Sequence, residues 1–296
     1  SSISRFDVDM HDFEVDLSRS KINSSFGTIY FVKQKSTNKK CMKMQINIKK
    51  WEKQFSKTIE IFSQCNHPTL VPFIGYNIDK SKGNIYLEEM ENGSLSEYIK
   101  KNTEKMNLIF DDTQKLIISY GIARAMEYLH SQNIIHRNLK TENVLLDSNF
   151  NPHVFDFCAS EYINSEFDTS STIMQTTVSI MAPEFIDDYI KYNRTKPIDV
   201  FSYSITLYEL WTGKQPYPDD IRPLKIVENV LNNNRPQFPS DYNINENIKK
   251  LIERCWDQNP EKRPTFTEIC NILETNELIP KISRERFNSY KQTIRS

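Results

Sequence analysis

The chain has 296 residues, 38 basic against 39 acidic side chains, and 38% hydrophobic and 11% aromatic content. That supplies a core for one large domain or two closely packed lobes, and the balanced charge excludes a polycationic nucleic-acid binder. No apolar run nears the roughly 18 residues of a membrane span, no signal peptide is expected, and five cysteines without a Cys-x-x-Cys pair suggest neither a disulfide framework nor a zinc site.

Residues 1–13 read as an N-terminal extension, and residues 14–90 read mainly as short strands. Residues 26–32 are β-branched and aromatic, and Ser36-Thr37-Asn38-Lys39 supplies a polar turn before a strand at 41–46. Residues 51–65 place Phe55, Ile59, Phe62 and Cys65 at helical spacing, with His67-Pro68 as the stop. Strands follow at 74–78 and 84–90, and Asn92-Gly93 marks a boundary between lobes. Beyond it Asp112 is placed to cap a long helix whose apolar stripe is Ile118, Ile122, Ala125 and Leu129. Short apolar runs at 133–136, 144–147 and 153–157 precede an apolar helix over 200–211 that stops at Gly213. A further helix covers 248–256, Thr265 and Glu268 form a capping-box signature, and residues 276–296 end the chain as a basic tail. The fold class is therefore α+β: a small antiparallel sheet with one main helix, then a mostly helical lobe.

Several motifs in this frame carry chemistry. His136-Arg137-Asn138-Leu139-Lys140-Thr141-Glu142-Asn143 resembles the catalytic loop of protein kinases, and Asp156-Phe157-Cys158 resembles their Asp-Phe-Gly metal motif. Ala182-Pro183-Glu184, the run from Asp199, and Cys255-Trp256 with Lys262-Arg263-Pro264 complete the series in the right order. Together they resemble the tyrosine-kinase-like group of Ser/Thr protein kinases over roughly residues 14–275. The resemblance implies a bilobal kinase fold (lobes 14–91 and 92–275) that uses ATP and Mg²⁺ and acts on, or partners with, another protein. It implies that Lys43 holds the α- and β-phosphates, that Cys41 lies above the adenine and Leu145 below it, and that Leu87 backs the pocket. Glu88 and Met90 are implied to offer hinge backbone groups, with nucleotide contacts at Ile22, Gly27 and Ile29. Asn143 and Asp156 match the magnesium-binding side chains, whose oxygens suit a hard cation. Lys140 matches the Ser/Thr type of catalytic loop. Arg137 is implied to pair with a phosphorylated loop residue, the candidates including Thr172, Thr176 and Thr177.

The chain also departs from the family. Asn138 replaces the aspartate that accepts the substrate proton, and a carboxamide has no useful basicity. The glycine-rich phosphate loop survives only as Asn23-Ser24-Ser25-Phe26-Gly27. The helix glutamate that would pair with Lys43 falls on Thr58, with Glu60 turned about 200° away. Cys158 replaces the metal-motif glycine. The leading expectation is a cytoplasmic pseudokinase that binds ATP weakly, dependent on Lys43, and serves as a switch or scaffold. The alternatives are an active or weakly active Ser/Thr kinase, or such a kinase inactivated by an Asp-to-Asn change at position 138.

Overall fold

The computed structural model describes residues 2–24, 26–101, 110–163, 177–188, 191, 195–240, 243–275 and 277–295. The N-terminal part is a six-stranded antiparallel sheet of β1 (Phe13–Val15), β2 (Ile22–Asn23), β3 (Gly27–Gln34), β4 (Lys40–Asn47), β5 (Phe73–Asp79) and β6 (Lys82–Glu88). Its order is β1-β3-β4-β6-β5, with β2 pairing β3. The connecting turns place Asn38 and Lys80 at φ 61° and 56°, left-handed geometry that Asn tolerates best among residues with a side chain.

The sheet's two faces are set by alternation. Met42, Met44 and Ile46 of β4 join Ile85 and Leu87 of β6 in the main core, whereas Cys41 packs with Val32 and Tyr86 in a separate cluster on the other face. Helix α1 (Ile48–Gln64) covers the core face with Phe55, Ile59 and Phe62, after a kink at Trp51.

The C-terminal part holds α2 (Leu95–Lys101), α3 (Asp112–Ser131), the paired strands β7 (Ile134–Ile135) with β10 (Glu161–Tyr162), and β8 (Val144–Leu146) with β9 (Pro152–Val154). Then come α4 (Pro183–Asp187), α5 (Lys196–Thr212), α6 (Pro223–Leu231), α7 (Glu246–Cys255), α8 (Phe266–Glu274) and α9 (Arg284–Thr293). Helix α5 is buried along almost its whole length, its polar side chains Asp199 and Glu209 included. It ends where Gly213 takes φ 67°, a left-handed cap that closes onto the Glu209 carbonyl. The capping box forms at α8, Thr265 and Glu268 each bonding the other's backbone N–H. At α3 the cap is Asp111 rather than Asp112. Asp111 holds extended backbone and its carboxylate accepts from the Gln114 N–H, which leaves Asp112 as the first helical residue.

The final segment is not a free tail. Helix α9 lies on α3 with Phe287, Tyr290 and Ile294 buried. Among the described residues no helix is long and apolar enough to cross a membrane.

Candidate active-site cleft

Between the two parts lies a cleft of about 900 Å³. Its floor is built by the turn after β7, where the backbone N–H groups of His136 and Arg137 each donate to Asp199 at 2.8 Å. His130 bonds the same carboxylate at 2.8 Å. Asp199 is fully buried. Burial alone would raise its pKa, but these partners outweigh it and hold the carboxyl below its usual range. His136 is sealed between two fixed partners: its Nε2 meets the Phe155 carbonyl at 3.0 Å and its Nδ1 accepts the Asn138 N–H at 3.1 Å. A ring that donates at one nitrogen and accepts at the other is neutral, and burial lowers its pKa in the same direction. Arg137 and Asp156 sit at φ 67° and 71°, strained positions of the kind that surrounding structure sustains at functional sites.

This scaffold aims Asn138, Lys140, Asn143 and Asp156 into the cleft. Asn143 donates to the Asn138 carbonyl at 2.8 Å, and the Asn138 amide lies 3.5 Å from the Asp156 carboxylate. Asn138 is 7% exposed, and its Oδ1 has no hydrogen-bond partner among the described residues. Lys140 donates to Thr177 Oγ1 at 2.7 Å, which brings one loop candidate into the site. Thr172 and Thr176 lie outside the described residues. Arg137 meets a carboxylate already supplied by the chain, Glu161 at 3.6 Å, which Lys57 of α1 also reaches at 2.5 Å.

The upper wall corrects the sequence reading. Cys41 and Lys43 do not line the cleft; Met42 and Met44 do. Strand side chains alternate, so a shift of one residue exchanges the faces. Lys43 lies on the outer face with its ammonium 4.9 Å from the Tyr30 ring, and no carboxylate among the described residues forms an ion pair with it. Half-burial and the neighbouring Lys82 lower its pKa. The Cys41 thiol, desolvated, is pushed up to about 11.

At the inner end, the Met44 sulfur is 3.4 Å from the Cys158 sulfur. Cys158 is 1% exposed, and burial raises its thiol far above the usual value, so it is an inert packing group. Thr58 is the α1 residue beside it, fully buried, with its hydroxyl donating to the Gln54 carbonyl at 2.6 Å. Phe26 also lines this end and meets Trp51 edge to face at 5.1 Å.

Ile22, Ile29, Leu145 and Met90 line the outer, apolar slot. The Met90 N–H has no hydrogen-bond partner among the described residues. Leu87 is buried behind the slot opposite Met42, and Glu88 turns its carboxylate to Lys39 at 3.2 Å. Gly27 answers to the sheet rather than to a ligand, because a Cβ there would sit 2.1 Å from the Gln45 carbonyl oxygen. Sequence reasoning missed Met42, Met44, Phe26 and Glu161. The Met-x-Met-x-Ile alternation of β4 was the available signal for the first two.

The slot is apolar, and Asn143 with Asp156 offers the oxygens that Mg²⁺ takes. The inner end does not fit a triphosphate, since thioether and phenyl groups line it where a cation would be needed, and the α1 residue beside Cys158 is the buried Thr58 rather than a carboxylate.

An aromatic column joins α1 to the turn after β7. Phe62 of α1 packs on Phe73 at 5.3 Å and on Phe157 at 4.7 Å, and Phe157 meets His136 edge to face at 5.7 Å. Below, Arg263 grips Glu184 through two hydrogen bonds of 2.6 and 2.8 Å in a buried pair.

Residues 19–273 match the family model for the protein tyrosine and serine/threonine kinases. Over 226 residues, 74% of the chain, it is 37% identical to a probable serine/threonine-protein kinase of Dictyostelium discoideum. Over 264 residues, 85% of the chain, it is 33% identical to the serine/threonine-protein kinase TNNI3K of Rattus norvegicus. Over 251 residues, 83% of the chain, it is 33% identical to the serine/threonine/tyrosine-protein kinase HT1 of Arabidopsis thaliana. The chain spans 16%, 30% and 62% of the lengths of these three relatives. The bilobal architecture, the ordered motifs and the matched family model agree: this chain belongs to the protein tyrosine and serine/threonine kinase family.

Proposed function

We propose that this chain is a pseudokinase: a kinase-fold module that handles ATP weakly, transfers little or no phosphate, and acts in the cytoplasm by holding or switching a protein partner. One observation carries the reading. A carboxamide, Asn138, stands beside Asp156 and Asn143 where the family's aspartate accepts the substrate proton. Losing a positioned general base costs about 10²–10⁴ in rate. Met44 in the cleft, with the buried Thr58 on α1, adds to the loss, because phosphoryl transfer depends on positive charge held against the phosphates. Five buried, unpaired cysteines agree with a reducing compartment.

A second reading, a weakly active Ser/Thr kinase, is favoured by one observation. Lys140, Asn143 and Asp156 all line the cleft beneath an assembled aromatic column. Labelled-ATP assays on a generic protein acceptor, run beside Asn138→Asp, separate the two. The unmodified chain is expected to show no turnover above background. Turnover near the ordinary kinase range of about 1–100 per second would refute the pseudokinase reading. Recovery only in Asn138→Asp would show that position 138 is the decisive loss.

A further inference from the structure

Kinase clefts join an apolar slot for the base to a charged end for the phosphates, and here the two halves have parted company. The slot is intact: Ile29, Met42 and Leu145 line it, and the unpartnered Met90 N–H lies at its edge as a donor for a ring nitrogen. The far end is apolar above and acidic below. Met44, Phe26 and Phe155 line it from the apolar side, with Asp156 facing them.

Among the described residues three cations line the cleft, and each has a partner, although the Thr177 hydroxyl that meets Lys140 is neutral. Arg19 is tied to Glu89 at 2.5 Å, Lys100 lies 3.8 Å from Glu142, and Lys140 donates to Thr177. Residues 164–176, between Asp156 and Thr177, contain no lysine or arginine. The buried Asn138 Oδ1, with no partner among the described residues, is an acceptor. It presents no donor hydrogen to a phosphate oxygen.

From this we infer that the cleft selects an uncharged, planar nitrogen heterocycle, a nucleoside or free base, over a nucleoside triphosphate, with Met44 as the selecting residue. A triphosphate entering this cleft would surrender its hydration to thioether and phenyl groups and bring its negative charge toward Asp156. Partly buried like charges repel strongly because solvent screens them poorly. An unphosphorylated ligand keeps the slot contacts and meets neither cost. The inference rests on the non-catalytic reading and names the ligand class that such a module would sense.

Calorimetric titration with adenosine, with ATP in EDTA and with ATP plus magnesium tests it, on the unmodified chain and on Met44→Lys and Lys43→Ala. Adenosine is expected to bind about tenfold or more tightly than ATP in either form, equivalent to about 1.4 kcal/mol. Lys43→Ala, on the opposite face of the sheet, is expected to leave that ratio unchanged, and Met44→Lys to reverse it. Should Met44→Lys fail to fold, Asp156→Asn removes a repelling charge without added bulk and is expected to narrow the deficit of metal-free ATP. ATP binding more tightly than adenosine to the unmodified chain would overturn the inference. So would failure of adenosine to bind, or a ratio untouched by both cleft variants. Phosphate transfer in the labelling assay would instead defeat the non-catalytic reading, so the two failures are distinguishable.

Discussion

Glu209 is a carboxyl on α5, 8% exposed, whose Oε2 accepts the Thr141 hydroxyl at 2.7 Å beneath the turn that carries Asn138. Burial pushes its pKa up from 4.5 to about 7, with Glu142 adding to the rise while the Thr141 hydroxyl, Lys100 and Lys140 oppose it. A carboxyl raised on folding is protonated in the folded chain and ionised in the unfolded chain between those two values. Stability therefore falls as pH rises from about 4.5 to about 7, by at most about 1.4 kcal/mol per pH unit for one proton. Glu209→Gln keeps the shape and removes the proton. It is expected to flatten this part of the stability profile, measured by urea midpoints at pH 5, 6, 7 and 8. Identical slopes in the two proteins would show that Glu209 does not titrate there. Single residues also set the limit of what the sequence revealed. The place of Asn138, Asn143 and Asp156 in the cleft was legible because a loop motif fixes spacing irrespective of side-chain direction. Lys43 was misplaced because a strand's faces exchange with every residue, and the lysine was matched by motif while Met42, Met44 and Ile46 marked the buried face.

At the scale of elements, α1 lacks the ion pair that would tie it to β4, yet it is packed from two other directions. Lys57 joins α1 to Glu161 of β10. The N-terminal segment supplies the second brace: Val8 donates to the Tyr76 carbonyl at 3.0 Å and Phe6 packs on Phe73 at 5.0 Å. Phe6 thereby tops the column that runs through Phe73, Phe62 and Phe157 to His136. Gly75 permits this docking, since a Cβ there would lie 2.4 Å from Val8 and 2.5 Å from the Phe6 carbonyl oxygen. Helix ends were legible because capping is local, and the error at Asp111 was a single residue. The docking of Phe6 was not, because it joins residues nearly seventy positions apart and no local period reports it. Phe6→Ala is expected to cost about 1–2 kcal/mol, from half-burial plus the aromatic contact. It should also speed amide exchange in α1 and β5 before other elements. Uniform exchange changes throughout the chain would show that Phe6 supports the whole fold rather than the position of α1.

At the scale of the molecule, the stability of the helical lobe reaches past the kinase motifs to the last helix. Residues 281–295 read as a solvated basic segment because Lys281, Arg284, Arg286, Lys291 and Arg295 dominate it, while its apolar residues are few and widely spaced. Those few are the ones that matter. Phe287 is 1% exposed and meets Tyr120 of α3 edge to face at 5.3 Å, and Tyr290 sits over Gly121, where a Cβ would come within 2.2 Å of its hydroxyl. The basic residues then close the edge, Arg286 bonding Asp111 at 2.6 Å and the Ser283 N–H donating to Thr113 at 2.9 Å. Because Asp111 also caps α3, α9 is joined to the start of the helix that carries His130 toward Asp199. Removing a buried phenyl ring leaves a cavity as well as a lost transfer term, so Phe287→Ala is expected to cost about 3–5 kcal/mol. Arg286→Ala, an exposed pair, should cost under about 1 kcal/mol. Denaturant midpoints of the two variants decide the matter: a large loss for Phe287→Ala with a small one for Arg286→Ala makes the segment part of the core. Near-equal small losses would return it to the role of a tether.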